Sequence, residues 1–285
     1  MAIVLTISSH VARGHVGNAA AVFALQRLGH EAWPVHTVML PFHPGHGRAT
    51  PVATSIDGLR SLLDAIADKG YLEHIDAVHS GYMANADQAR AVADFVKRLK
   101  ATNVRALYSC DPIIGDGPAP GQGALYVPED VAVAVSDELV PLADIVTPNL
   151  FELAWLTGRT PKDGIDVVDA CQALGTEICL VTSAPAFFAG SIATLLVNGK
   201  SGLSAETRRL GRVPHGTGDL LAALFLGLLL KRASHEAALL NACGSLFDVL
   251  TETARLERDE LALIQAQEAL VHPRSQPRLQ RIAAK

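Results

Sequence analysis

The chain has 285 residues, of which 49% are hydrophobic, 19% charged and only 5% aromatic, and 24 Lys and Arg against 29 Asp and Glu give a formal charge of −5. That apolar fraction is ample for a buried core, so global disorder is excluded, and the length suits one large domain or two small ones. The mild acidity offers no basic field to neutralise a phosphate backbone, which argues against general nucleic-acid binding.

Short β-rich runs alternate with longer helical patterns along the chain. Ala2–Ile7 reads as a strand and Val16–Leu28 as a helix, with Ala21, Ala24, Leu25 and Leu28 on one face at i, i+3, i+4, i+7 spacing. A strand near Ala32–Val38, a helix near Ser55–Lys69, a strand near Ala77–Ser80 and a helix at Ala86–Lys100 follow. Further strands fit Arg105–Ser109, Ile145–Thr147 and Ile178–Thr182. This alternation predicts an α/β fold with a parallel sheet covered by helices on both faces. From Phe188 to Arg212 the segments shorten and alternate, with Gly199 at a hairpin turn, so an antiparallel edge is expected. Residues 216–230, 234–252 and Asp259–Ala269 read as three helices. Without an internal repeat or a low-complexity linker, one domain over residues 1–271 is favoured, followed by a loose basic tail, His272–Lys285.

Four cysteines, Cys110, Cys171, Cys179 and Cys243, form no C-x-x-C pair and read as reduced thiols. The apolar stretch at residues 2–5 is too short for a secretory signal. The longest apolar run, Leu220–Leu230, has 11 residues, against about 20 needed to cross a bilayer. A soluble, cytoplasmic protein without membrane contact is expected.

The sharpest chemical feature is His215-Gly216-Thr217-Gly218-Asp219, placed directly before the apolar helix. Two glycines let a ligand approach the backbone, and the unpaired first-turn N–H groups carry the positive end of the helix dipole. Such a start holds an anion, and a carboxylate at its mouth can take a proton from a hydroxyl that attacks a bound phosphate. The same residues serve equally well as a plain helix cap. No Walker pattern and no G-x-G-x-x-G turn is present, so neither a P-loop nor a dinucleotide site is supported. Asp111, Asp116, Asn149 and Glu152 follow predicted strands, whose carboxyl ends line the crevice of an open α/β sheet, and could supply hard oxygen ligands to a Mg²⁺–nucleotide. Singly, each also fits loop or cap chemistry, Asn149 and Glu152 above all. The loop Ser8–Asn18, with hydroxyls, an imidazole and two glycines, suits a polar head group or a plain turn. His43-Pro44-Gly45-His46 is a turn without a third ligand at metal spacing.

Taken together, SSHVARGHVGN, SGY at Ser80–Tyr82, SCDPIIGD at Ser109–Asp116, YVPED at Tyr126–Asp130, PLADIVTPNLFEL at Pro141–Leu153, LVTS at Leu180–Ser183 and HGTGDLLAAL at His215–Leu224 resemble, in order, the pyridoxal kinases of the ribokinase-like superfamily. The resemblance implies a three-layer α/β/α sandwich, mostly parallel with an antiparallel edge and no separate lid domain. It implies ATP-dependent phosphorylation of the 5′-hydroxyl of pyridoxal, pyridoxine and pyridoxamine. Asp219 is the implied base, with the amides of Gly216, Thr217 and Gly218 around the transferring phosphoryl group. Ser9, Tyr82 and the loop containing Pro44 and Gly45 are implied to hold the substrate ring. Asp111, Asn149, Glu152, Thr182, Ser183 and Thr217 are implied to serve the nucleotide, and Asp116, Thr147 and Glu152 the metal. ATP is the implied co-substrate and Mg²⁺ the implied divalent cation; a monovalent cation is left open, and a homodimer is implied.

The loop after the second strand departs from the family pattern, in which a threonine stands over the substrate. Here it reads Pro41-Phe42-His43-Pro44-Gly45, and Pro44 has neither a hydroxyl nor a backbone N–H. A kinase for another small hydroxylated ring, such as hydroxymethylpyrimidine, a sugar or a nucleoside, therefore stays open, as does a non-catalytic B6-binding protein. Position 182 is Thr rather than Lys, so no extra cation meets the nucleotide there. Without a lid domain, the irregular loops Pro41–Pro51 and Gly115–Gly123 are expected to cover the substrate.

Overall fold

In chain order the elements begin with β1 (Ile3–Val11), α1 (Asn18–Arg27), β2 (Glu31–Leu40), β3 (Val52–Ala53), α2 (Ile56–Asp68), β4 (Ala77–Ser80), α3 (Ala86–Thr102) and β5 (Leu107–Cys110). There follow β6 (Gly115–Ala119), β7 (Gln122–Leu125), α4 (Glu129–Ala134), β8 (Ile145–Val146), α5 (Leu150–Thr157), α6 (Gly164–Leu174) and β9 (Ile178–Ala184). The chain ends with β10 (Ser191–Asn198), β11 (Ser201–Arg208), α7 (Thr217–Leu230), α8 (His235–Arg255) and β12 (Arg278–Ala283). The computed structural model describes residues 1–119 and 122–283.

Side-chain parity along the strands sets the layers. In β1, Leu5 and Ile7 pack with α2, α3 and α4 on one face, whereas Val4 packs with α1, α7 and α8 on the other. Strands buried on both faces are what a parallel sheet between two helix layers requires. A ten-stranded sheet results, in the order β12-β11-β10-β9-β8-β5-β4-β1-β2-β3. The strands from β2 to β9 in that order run parallel, while β10, β11 and β12 at one side and β3 at the other are antiparallel. The expected parallel sheet and antiparallel edge are both present, and Gly199 turns between β10 and β11 with a φ of 60°.

From β1 the chain winds outward to β2 and later returns on the opposite side of β1 as β4. The winding direction switches there, and ligands of open α/β sheets bind outside the carboxyl ends at that point. α7 points its first turn toward this end. Its Leu220–Gly227 are all buried, which explains the long apolar run as a core helix between the sheet and two neighbouring helices. No helix among the described residues is long and apolar enough to cross a membrane.

Three expectations are corrected. Arg278–Ala283 of the supposed loose tail forms β12, paired with β11 from Ser201↔Ala283 to Glu206↔Arg278. Leu279 and Ile282 secure it by packing on opposite faces of the sheet; Ala284 and Lys285 lie outside the described residues. Residues 259–269 turn instead of forming an α-helix, because Leu261, Ala262 and Leu263 are consecutively buried and a helix directs successive side chains apart. Within the supposed loop Gly115–Gly123, β6 and β7 pair as a separate ribbon, with Pro120 and Gly121 outside the described residues. The ribbon sits so close to α5 that a Cβ on Gly115 would stand 2.5 Å from the Phe151 ring.

The anchoring of β12 is measurable. Ile282→Ala should cost roughly 2 kcal/mol in urea unfolding, whereas Arg281→Ala, in an exposed ion pair with Glu236, should cost well under about 1 kcal/mol. Equal and negligible losses would restore the loose tail.

Candidate active site

The start of α7 is shaped by one backbone contact. Gly216, its N-cap, has φ 93°, and a Cβ there would collide with the His15 carbonyl oxygen. Only glycine accommodates both the left-handed backbone and the contact. On the next glycine the opposite holds: around a Cβ built on Gly218 nothing lies within 4 Å. The N–H groups of Thr217 and Gly218 therefore lie at an uncovered helix start, as an anion site needs.

A cavity of about 260 Å³ adjoins this turn, lined by Thr182, Ser183, Thr217 and Gly218 at one end and by Val213, Phe247 and Leu250 at another. Arg208 and Arg209 also border it. Of the residues that the sequence assigns to the nucleotide, Thr182, Ser183 and Thr217 line this cavity; its apolar wall from α8 carries no sequence signal, because apolar residues on an amphipathic helix read as core. Thr182 continues the β8–β9 ladder beyond its regular pairs, donating its N–H to the Pro148 carbonyl at 2.9 Å and bridging to Asn149. Ser183 follows at φ 53°, and Ile113 has φ 43° in the loop after β5. A β-branched residue at positive φ is a backbone outlier of the kind that gathers at binding sites.

Buried carboxylates meet beneath the anion site. Asn149 and Glu152 form a capping box at the start of α5. The Glu152 carboxylate also accepts N–H bonds from Ile114 at 2.8 Å and Gly115 at 3.4 Å, and Asn149 donates its side-chain amide to the Gly115 carbonyl at 2.8 Å. Thus α5 fixes the loop leaving β5. Despite three N–H donors, burial lifts the Glu152 carboxyl to about 7. Asp111 is pushed well above its ordinary value by burial and then by the charges of Glu152 and Asp219, and no cation acts on it. Thr147 Oγ1, buried without a well-formed hydrogen bond, sits beside Asp111 and partly offsets its shift. Asp219 is half-buried; desolvation raises its pKa, against the N–H groups of Gly17 and of Asp219 itself.

Like-charged buried carboxylates around an unpartnered hydroxyl suit a divalent cation. Among the described residues no three His, Cys, Asp or Glu side chains stand close enough to cage a metal directly. The donor set thus fits a hydrated Mg²⁺ held partly by phosphate oxygens rather than an all-protein site. Asp116 stands apart at the rim: it is exposed on β6, accepts the Gly117 N–H at 2.7 Å and takes a bond from the Tyr126 hydroxyl.

The other wall is built on β1 and β2. Their parallel register slips between Ser8 and His10, so Ser9 occupies a bulge, a device that re-aims a side chain. Ser8 Oγ accepts the Tyr82 N–H at 3.1 Å, tying the end of β4 to β1, and burial pushes the Tyr82 phenol up. Pro44 and Gly45 lie in a short 3₁₀ turn capped by His43, whose Nδ1 accepts the Gly45 N–H at 3.0 Å. The His43 ring stacks on His215 with centroids 3.8 Å apart. Burial, then His215 and His46, lower His43 to about 4, so the stacked ring is neutral near pH 7. The sequence-predicted loop is therefore brought against the residue that precedes the anion site, through a histidine pair that motif reading did not join.

A family model described as phosphomethylpyrimidine kinase matches residues 53–260. A pyridoxal kinase PdxY of Corynebacterium diphtheriae is 38% identical, covering 98% of this chain and 99% of its own. A pyridoxal kinase PdxY of Deinococcus radiodurans is 40% identical over 95% of this chain and 93% of its own. The structure of a pyridoxal kinase from Leishmania donovani in complex with ADP and pyridoxamine superposes with a TM-score of 0.90, at 27% identity, over 98% of this chain and 99% of that one. Matched from end to end in both sequence and fold, with the glycine-opened helix and the buried carboxylates in place, the chain belongs to the pyridoxal kinase family.

Proposed function

We propose that the chain transfers the γ-phosphoryl group of ATP to the 5′-hydroxyl of pyridoxal, and of pyridoxine and pyridoxamine, yielding pyridoxal 5′-phosphate from pyridoxal. One observation carries the reading: a half-buried carboxylate, Asp219, lies near the Gly17 backbone at the mouth of a helix start that no neighbouring residue covers at Gly218. Phosphoryl transfer asks little covalent chemistry of the protein; it needs an in-line hydroxyl, a base and charge neutralisation. Asp219 takes the hydroxyl proton as that oxygen bonds to the γ-phosphorus, and ADP leaves with the electron pair of the broken P–O bond. Its raised pKa moves it toward the range where a base works near neutrality. The N–H groups at Gly216, Thr217 and Gly218 stabilise the phosphoryl oxygens without reorganising. Ser9, Tyr82 and the Pro44–Gly45 turn hold the ring; Asn149, Thr182, Ser183 and Thr217 hold the nucleotide over the apolar wall. Asp111, Asp116, Thr147 and Glu152 would hold Mg²⁺ through water, and that ion would neutralise charge on the phosphates.

We further propose a homodimer in the cytoplasm. Met39 and Val52, 48% and 59% exposed, lie opposite each other on the β2–β3 edge and offer an apolar contact. All four cysteines are free and buried, as suits a reducing compartment. Light scattering should give twice the chain mass, and Val52→Asp should halve it; a monomeric wild-type chain counts against the assembly.

Asp219→Asn should lower kcat by about 10²–10⁴-fold while calorimetric ATP binding stays within about twofold. Undiminished turnover would remove Asp219 as the base. An ADP-release assay across alcohols decides the substrate: turnover of hydroxymethylpyrimidine with none of any B6 vitamer would overturn the pyridoxal reading. The crowded carboxylates also set a pH dependence. Because Glu152 is held at about 7 against an ordinary 4.5, the folded chain binds more protons than the unfolded one between these values. Its contribution to stability is complete below the lower value and is lost as the pH rises through the upper one. Relative to Glu152→Gln, the melting temperature of the ligand-free chain should therefore fall as the pH rises from about 4.5 to about 7, against the opposite trend set by His43 and His79, both held at about 4. Parallel pH profiles in the two chains would argue against a raised Glu152 carboxyl.

A further inference from the structure

Glu260 is 4% exposed, and neither of its carboxylate oxygens has a well-formed hydrogen bond. It lies in the irregular segment after α8, away from the groups assigned to phosphoryl transfer. Oε1 stands 2.8 Å from His46 Nε2 and 3.5 Å from Arg13 Nη1. The carboxylate also packs so tightly under Gly14 that a Cβ there would collide with it. Next to it, Asp259 pairs with Arg13 at 2.7 Å and lies 3.8 Å from His46 Nδ1. A buried carboxylate is costly unless its partners stay in place, and removing one leaves it uncompensated. Here the partners come from two different loops, the one after β1 and the one after β2.

Both loops lead to the reacting groups. In the first, the His15 carbonyl abuts Gly216, and Gly17 lies near the Asp219 carboxylate. In the second, His43 stacks on His215 and Gly45 presses against the same ring. One carboxylate behind the site therefore ties the two walls between which the acceptor must lie.

We propose that Glu260 is a positioning residue for the acceptor: by holding Arg13 and His46 together it sets the distance between the β1 loop and the β2 loop, and with it the seat of the vitamer hydroxyl beside Asp219. The inference rests on the vitamer-kinase reading. It separates the two substrates, because apart from the start of α7 the nucleotide cavity is built from other elements, β9, β10, β11 and α8.

The test is steady-state kinetics on Glu260→Gln, His46→Ala and the double variant. Glu260→Gln keeps the shape and removes the charge. It should raise the KM for pyridoxal about tenfold and leave the KM for ATP within about twofold; His46→Ala should act in the same direction, and the double variant should be no worse than the weaker-binding single, as coupled partners require. An unchanged pyridoxal KM, an equal rise in both KM values, or additive effects would overturn the proposal. Should Glu260→Gln fail to fold, His46→Gln carries the same split, because it keeps a polar side chain against the buried carboxylate. If the wild-type chain phosphorylates another ring alcohol, the vitamer reading fails alone, and the same split is then read with that alcohol.

Discussion

The site depends on a helix start that is left open. No neighbouring residue stands within 4 Å of a Cβ built on Gly218, so the first turn of α7 is uncovered there, and free N–H groups at such a turn are stable only when water or an anion meets them. The rest of the helix is correspondingly overdetermined. Its body is buried through Gly227, where a Cβ would stand 2.6 Å from Leu28 at the end of α1. His30 Nε2 meets the Gly227 carbonyl at 2.9 Å, and its Nδ1 accepts the Ala2 N–H at 3.2 Å. Close crossing and a side-chain tie together hold the axis of α7 against β1, so its first turn is aimed at the carboxyl end of the sheet without support from side chains at that end.

Charge follows the opposite rule. At the anion site the protein presents helix-start dipoles, with Arg208 and Arg209 on the border of the adjoining cavity; below it, burial and then the charges of Glu152 and Asp219 raise the cost of ionising Asp111. This arrangement is poor for the stability of the empty chain and good for one that binds a metal–phosphate complex, since the ion compensates both the carboxylates and the phosphates at once. A net charge of −5 therefore says little about affinity for ATP. The arrangement of local N–H groups matters more than that sum.

Much of this was legible because the chemistry sits in short contiguous runs. The glycine-opened start of α7, the capping box at Asn149 and Glu152, and the alternation of strands and helices each depend on neighbours within a few residues. What was not legible depends on distant packing. β12 shows only Leu279 and Ile282 as apolar residues in a basic segment, and becomes a strand because the edge of β11 needs a partner. α6 begins with Gly164 and carries Ile165, Val167 and Val168, all weak helix formers, so burial against β9 and β10 outweighs its propensity. The apolar wall of the cavity beside α7 and the stacking of His43 on His215 involve residues far apart in the chain, and neither leaves a local pattern.

The β2 loop joins these two lessons. Pro44 removes the side-chain and backbone donors that the family pattern would place over the substrate. Yet the loop is not loosened. His43 caps the short turn and stacks on His215, and His46 faces Glu260. Proline also restricts the backbone before any ligand arrives, which lowers the entropy to be lost on closing the site. The loop has thus exchanged a direct polar contact for rigidity set by side chains on its far side. In such a pocket, discrimination among ring alcohols comes from the width between two tied walls more than from a hydroxyl aimed at the ring.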